Sequence, residues 1–250
     1  MVHRKSHDEI QIMREGGAKL GAILQKLLAF GQPGTVLLDI DTEADRLIDA
    51  SGGTPSFKTV KGYKWATCLC VNEVVVHGIP TAYVLKEGDV LTIDTGLVYK
   101  GFHTDTAWTK IVGKEDSQFL KAGKEALTKA INLARIGKRV GDISDSTQGI
   151  IEGAGYNLVK FLVGHGVGVE LHEDPQIPNH VRGAAENTYQ FQGGETIAIE
   201  PIYVMGQGAV VYENSDGWTL ATKDRSLAAV FEHTVAITEN GPIVLTEATV

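Results

Sequence analysis

Two pairs of stretches in this 250-residue chain follow the same pattern, and that repetition narrows the choice of fold more than any other feature. "GDVLTID" (88–94) and "GETIAIE" (194–200) each run glycine, acid, a β-rich apolar stretch and a closing carboxylate, 106 residues apart. Earlier, "DIDTEADRLIDASG" (39–52) matches "DISDSTQGIIEGAG" (142–155) at a spacing of 103 residues. The second pair shares Asp-Ile, a polar turn, an apolar pair, an acid, a small residue and Gly. Two matches in one order at nearly one offset argue for a duplicated unit. A period near 100 is too long for a solenoid, whose repeats run about 20–50 residues. The expectation is one domain over residues 1–250, built of two related α/β halves at about 8–113 and 116–240.

Each half reads as helices followed by strands. Ile10, Met13, Ala18, Leu20, Ile23, Leu24, Leu27 and Leu28 recur at mostly three- and four-residue steps, a helical stripe that "GQPG" (31–34) stops. Asp39 or Asp41 is placed to cap a second helix running to about Ala50. "ATCLCVNEVVVHG", "DVLTIDTGLVY" and "AWTKIVG" then read as strands. The second half has helices near 116–136 and 142–154, then "NLVKFLVGHGVG", "ETIAIEPIYV" and "LAAVFEHTVAIT" as strands, with 176–193 a polar, irregular surface loop. Helices grouped ahead of hairpin-rich strands argue for an α+β fold rather than a doubly wound parallel sheet.

Seven ionisable residues lie within these apolar runs: His77, Asp94, Asp105, His165, His172, Glu200 and Glu232. Alone, each has an ordinary explanation, such as a turn cap or a satisfied core histidine. Together they do not, because carboxylates are seldom buried unless paired, and burying them unpaired costs several kcal/mol each. A hairpin turning at Tyr99 and Lys100 in "TIDTGLVYKGFHTDTAW" (92–108) sets Asp94 directly opposite Asp105, where like charges are destabilising. A turn at Lys100–Gly101 would offset them. Lys223 and Arg225 are the nearby cations, and neither sits inside these strands.

Bound divalent metal resolves the conflict, since oxygen-rich donor sets suit hard and borderline ions. One histidine with four carboxylates can hold two ions about 3.5–4 Å apart. In "GHGVGVELHEDP" (164–175) the odd spacing of His165 and His172 puts them on opposite faces of a straight strand, but the glycines imply a bend that lets them converge. The segment fits neither His-Glu-x-x-His nor Gly-x-Gly-x-x-Gly before a helix. His103 stands either beside the site or at its rim, and His3, His7 and His180 read as surface residues.

Composition limits the partners. A net charge of −8 without a Lys/Arg run disfavours nucleic acid. No stretch approaches the roughly 18 uninterrupted apolar residues of a membrane span, and "MVHRKSHDEI" leads into no signal-type apolar core. The expectation is a cytoplasmic monomer. Cys68 and Cys70, the two cysteines, exclude a disulfide framework and read as small buried hydrophobes.

"NEVVVHGIP" (72–80), "IDTGLVYKGFHTDTAW" (93–108), "GHGVGVELHEDP" (164–175), "TIAIEP" (196–201) and "DRSLAAVFEHTVAIT" (224–238) resemble, in order and over nearly the whole chain, the signatures of type I methionine aminopeptidases. The resemblance implies the two-fold pseudo-symmetric pita-bread fold and a dinuclear site. Asp94 would bind one metal and Asp105 would bridge both. His165 and Glu200 would bind the second, and Glu232 would bridge again. The ions would be Co, Mn, Fe or Zn. A metal-bridging hydroxide would be the nucleophile and Glu200 the general base, with His172 on the scissile carbonyl oxygen and His77 near the scissile nitrogen. Phe57, Tyr63, Cys68, His77 and Trp218 would line the methionine pocket.

The resemblance further implies a nascent polypeptide or peptide with an N-terminal methionine as substrate, and transient contact with the ribosome. Phe57 replaces a residue that is small in many bacterial relatives. Leu171 stands where an aromatic is common, and the loop after Glu173 carries Pro175 and Pro178. These departures bear on the pocket and leave the metal ligands untouched. Proline-specific relatives usually carry a large N-terminal domain ahead of the first aspartate, which is reached here at position 94. A non-catalytic binding module of the same fold would have lost ligands, and all five positions are filled.

Overall fold

The computed structural model describes residues 2–247. Helix α1 (His7–Phe30) starts at a capping box in which Glu9 N–H donates to Ser6 Oγ and Ser6 N–H donates to the Glu9 carboxylate. Its stripe Ile10, Met13, Leu20, Ile23, Leu24, Leu27 and Leu28 is buried as the periodicity requires. Helix α2 (Leu37–Ala50) differs from expectation at its start, where Val36 is the N-cap and no side chain caps it. Asp39 lies in the first turn. Asp41 points away to accept from Ala66 N–H (2.9 Å), Thr67 N–H (3.0 Å) and Thr67 Oγ (2.8 Å). Three donors to one carboxylate outweigh the single bond a cap would supply.

The first half continues through β1 (Thr54–Pro55), a 3-10 turn at Phe57–Thr59, β2 (Thr67–Val71), β3 (Val74–Val76), β4 (Val90–Tyr99) and β5 (Phe102–Ile111). The second half has α3 (Gln118–Leu133), α4 (Val140–Gly153), β6 (Asn157–Leu158), β7 (Val163–Gly166) and β8 (Glu173–Pro178). After a 3-10 turn at Ala185–Asn187 come β9 (Thr196–Ile199), β10 (Ile202–Val204), β11 (Val210–Tyr212), β12 (Leu220–Thr222), β13 (Ala228–Val230), β14 (His233–Thr238) and β15 (Gly241–Val244). One antiparallel sheet runs β1-β4-β2 with β5 on the other side of β4, and another runs β15-β14-β9-β7-β8. Two smaller sheets, β13-β10-β6 and β11-β12-β3, complete the set, and β12 pairs with β3 across the halves. Helices α1 and α2 bury their apolar faces on Leu69, Leu91, Ile93 and Leu97. Helices α3 and α4 bury theirs on Ile197, Ile199, Tyr203, Val235 and Ile237. This is the expected α+β architecture.

The hairpin register is offset from the direct pairing. Lys100 (φ 48°) and Gly101 (φ 86°) form the two-residue turn, both with positive φ as a type I′ turn demands. Asp105 therefore pairs with Gly96, and Asp94 pairs with Ala107. The aspartates are diagonal neighbours on one face rather than opposite one another.

The long strands read from the sequence are also interrupted. Asn72 (φ 56°) turns the chain between β2 and β3. "ETIAIEPIYV" breaks at Glu200–Pro201, where Pro201 has no N–H to give a ladder. "LAAVFEHTVAIT" breaks at Phe231–Glu232, and "NLVKFLVGHGVG" divides into β6 and β7. Residues 176–193, expected to be an irregular surface loop, begin in β8 and are pinned inward by Asn179 and Phe191, both buried.

Threonine hydroxyls and one backbone bond, rather than a strand ladder, sew the interrupted segment to β5. Thr109 Oγ donates to Val230 C=O (2.7 Å) and accepts from Val230 N–H (3.0 Å). Thr106 Oγ donates to Glu232 C=O (2.8 Å), and Glu232 N–H donates to Ala107 C=O (2.8 Å). Thr234 Oγ accepts from Asp105 N–H (2.9 Å) and donates to Asp105 C=O (2.8 Å). This seam fixes Glu232 against Asp105. Among the described residues no helix is long and apolar enough to cross a membrane.

Candidate metal centre

Five predicted ligands converge where the halves meet. Asp94 and Asp105 come from β4 and β5, His165 from β7, and Glu200 and Glu232 from the breaks after β9 and β13. Ligand atoms of Asp105, His165 and Glu232 lie within 4.8 Å of one another, and all three residues are buried. His165 Nε2 is 3.7 Å from Glu200 Oε1 and 4.0 Å from Asp105 Oδ2. These are not ion pairs: burial, with the nearby His172, holds His165 neutral by pulling its pKa down to about 3. Its Nδ1 lies 2.8 Å from Gly166 C=O, which only accepts, so the proton sits on Nδ1. The Nε2 lone pair is left facing the carboxylates, ready to bind a cation.

The carboxylates are frustrated. Burial, and then Asp105, raise Asp94 well above the usual carboxylate range. Glu200 is raised by burial and then by Asp105. Glu232 is raised by burial and then by Asp105, Glu200 and Asp94. Burial lifts Asp105 to about 7, even though Thr106 N–H donates to its Oδ1 at 3.0 Å and Asp94 bonds to it. Asp94 Oδ1 is buried without a hydrogen-bond partner. Among the described residues no Lys or Arg lines the cavity around these groups. An orphaned oxygen and four clustered carboxylates beside a neutral imidazole lone pair form a donor set that fits divalent cations.

Two connected cavities open on the cluster. The inner one, about 170 Å³, is lined by Phe57, Val60, Tyr63, Cys68, Leu171 and Trp218 on one side and by the five ligands on the other. All five residues predicted for the pocket border it, including His77. Tyr63 meets Phe57 edge-on at 6.3 Å and Trp218 at 5.1 Å. Its hydroxyl donates to Thr67 C=O at 2.8 Å and lies 3.2 Å from Cys68 Sγ. Burial raises the Cys68 thiol far above its usual range, so it stays neutral and packs as a polarizable apolar group. Cys70, two residues along β2, is buried as well.

The outer cavity, about 820 Å³, is lined by His77, His165, His172 and Glu200 together with Phe161, Val169 and His3. His77 and His172 are exposed to it, and burial of their protein side lowers both pKa values. The β7–β8 turn brings the rings of His165 and His172 to 4.5 Å, edge to face, as the glycine-rich spacing allows. His77 holds φ at 56°, in the left-handed region. His103 is buried beside the site, its Nδ1 2.6 Å from Ser56 Oγ. Leu171, tied to the pocket from the sequence, forms part of its wall, whereas Val60 was missed. The three-residue step from Phe57 across a 3-10 turn was the available signal for Val60.

Residues 11–239 match the model of metallopeptidase family M24. A methionine aminopeptidase from Clostridium perfringens is 39% identical over 249 residues, covering 98% of this chain and 99% of that protein. The crystal structure of a methionine aminopeptidase from Thermotoga maritima superposes with a TM-score of 0.94 at 41% identity, covering 99% of this chain and 100% of the other. A prolidase from Pyrococcus furiosus shares the fold at a TM-score of 0.78 and 22% identity, with 99% of this chain matching 66% of the longer one.

Proposed function

The chain belongs to metallopeptidase family M24 and, within it, to the methionine aminopeptidases, and from that premise we propose a dinuclear site that hydrolyses the first peptide bond of chains beginning with methionine. The observation that carries this reading is the buried carboxylate cluster opening directly onto a small pocket of aromatic rings and sulfur. Asp94, Asp105, His165, Glu200 and Glu232 would hold two divalent ions, Co, Mn, Fe or Zn. Bound there, such ions supply Lewis acidity, which acidifies a water molecule and polarises a carbonyl.

The chain's own groups do the rest. Phe57, Tyr63, Cys68 and Trp218 enclose the methionine side chain, whose thioether packs favourably against rings and sulfur. Phe57 and Leu171 narrow that pocket from two sides. Glu200 takes the proton from the attacking water and passes it on, because it is the cluster carboxylate bordering both cavities. His172 donates to the scissile carbonyl oxygen as charge develops there. His77, from the other half, positions the peptide and assists the departing amine. Nascent polypeptides, met in transient contact with the ribosome, are the proposed substrates of a single-domain, monomeric, cytoplasmic enzyme.

The test uses the purified chain with Mn(II) or Co(II), offered Met-Ala-Ser and Ala-Pro-Ala. Methionine release that disappears on chelation and in Glu200→Ala is expected. Release from Ala-Pro-Ala alone would move the chain to the proline-specific branch of the fold. Release from neither, with no metal retained, would sink the proposal.

A further inference from the structure

The N-terminal arm borders the outer cavity at His3 and braces its wall through the buried side chain of Lys5. Lys5 is anchored by its backbone, with N–H donating to Gly194 C=O at 2.6 Å, and Arg4 beside it donates from Nε to Gly193 C=O at 2.7 Å. The receiving turn is itself set by Glu195, whose carboxylate accepts from Gln192 N–H (2.8 Å) and Gly193 N–H (2.7 Å). From this fixed base the Lys5 side chain runs inward until it is fully buried. Its ammonium donates to His3 C=O at 3.1 Å and to Glu173 Oε2.

Glu173 directly follows His172. Its second oxygen accepts from Glu170 N–H at 3.0 Å, closing a loop over residues 170–173 that contains Leu171 and His172. The loop lies directly on the lysine. A Cβ at Gly168 would overlap Lys5 Cε and stand 2.6 Å from Nζ. Gly168 is held in turn by its N–H to Glu170 C=O (3.0 Å) and its C=O from His103 N–H (2.6 Å). One buried ammonium is thus the post around which the segment carrying a pocket wall and the carbonyl-binding histidine is wrapped.

Stability alone is a poor reason for such a pair. A buried ion pair is often matched or bettered by an apolar pair of the same volume, because desolvation cancels its attraction. What the pair supplies is direction: a carboxylate held at both oxygens fixes the backbone on either side of it. We propose that Lys5 is a positioning residue that sets His172 for the scissile carbonyl, an inference that rests on the His172 role given above.

The experiment is a double-mutant cycle in the full chain loaded with Mn(II), measuring kcat and KM on Met-Ala-Ser and bound metal by elemental analysis. His172→Ala is expected to lower kcat by roughly 100-fold, as loss of an oxyanion donor does. Lys5→Met is expected to lower kcat roughly 10- to 100-fold, the scale of a misplacement near 1 Å, with metal content retained. In the His172→Ala background Lys5→Met should cost nothing further. A Lys5→Met effect undiminished in that background would mean a merely structural role and would overturn the proposal. So would an unchanged kcat in Lys5→Met beside a damaged His172→Ala.

Should Lys5→Met fail to fold, Gly168→Ala keeps both charges and displaces the ammonium. The same loss of kcat is expected there, and wild-type kcat in that variant overturns the proposal. Wild-type kcat in His172→Ala is a separate result. It would remove the His172 role itself, and this inference with it.

Discussion

In the first half, Asp94 and Asp105 sit inside an unbroken hairpin of two ten-residue strands, whereas in the second Glu200 and Glu232 sit where strands stop. Asp94 needs no other support for its backbone than the ladder it belongs to, and Asp105 adds to its ladder register only the two bonds of Thr234 Oγ. The glutamates depend on groups from elsewhere. Asn179 Nδ2 donates to Glu200 C=O at 2.8 Å, and both backbone groups of Glu232 are taken by Ala107 and Thr106 of the opposite half. A ladder holds a carboxylate rigidly but only along its own sheet face. A break lets a longer side chain leave the sheet and cross to the partner half. The duplicated pattern ending in Asp94 and Glu200 has therefore diverged into a fixed wall and a reaching arm.

The largest expected effect tests the reaching arm. Glu200→Gln keeps the shape and removes the proposed base, so kcat on Met-Ala-Ser should fall roughly 10²- to 10⁴-fold. A fall below tenfold would transfer the base role to the hairpin wall.

Next comes pH in the metal-free protein. Unfolded, these carboxylates titrate near pH 4. Folded, all four are raised, Asp105 to about 7. The folded chain binds more protons between those values, so stability is fully present below about pH 4 and is lost as pH rises through the folded pKa values. Histidines held neutral by burial, such as His165, act in the opposite sense below about pH 6.5. The Tm of chelated protein should therefore decline from about pH 6.5 to pH 8, and added Mn(II) should abolish the decline. A flat profile after chelation would mean the cluster is not frustrated.

The seam between the regions gives a smaller effect. Thr234→Val strands the buried N–H and C=O of Asp105 and should cost about 1–3 kcal/mol in urea unfolding. A neutral result would show that the halves do not depend on it. The smallest effect lies inside the hairpin. Thr92 Oγ meets Thr109 Oγ at 2.8 Å, but Thr109 keeps both Val230 bonds without it. Thr92→Val should cost under about 1 kcal/mol. A cost equal to that of Thr234→Val would erase the distinction between ladder and seam.

The sequence exposed what is periodic and what is chemically anomalous. The stripe of α1 was legible because burial and a 3.6-residue period coincide. Glu200 and Glu232 stood out because a carboxylate in an apolar run has no cheap explanation. The hairpin register was not legible, since "YKG" admits a turn one residue either way, and only the positive φ at Lys100 decides between them. The strand breaks were hidden because residues on both sides of them are buried and keep their β character. The threonine seam was hidden because threonine suits any strand, so nothing in composition marks Thr106, Thr109 or Thr234 as bridges. Lys5 was hidden because a lysine in a polar leading segment reads as solvated, and its burial depends on a glycine more than 160 residues away.

His77 has a bearing on how this protein can be dissected. Its backbone sits at φ 56°, where a side chain carries a penalty of roughly 1–2 kcal/mol that glycine escapes. Alanine at this position would keep the penalty and discard the imidazole, confusing two quantities. Glycine would discard the imidazole and relax the backbone, giving a sturdier and slower protein. The gap between those two variants separates what the ring contributes to turnover from what its awkward posture subtracts from folding.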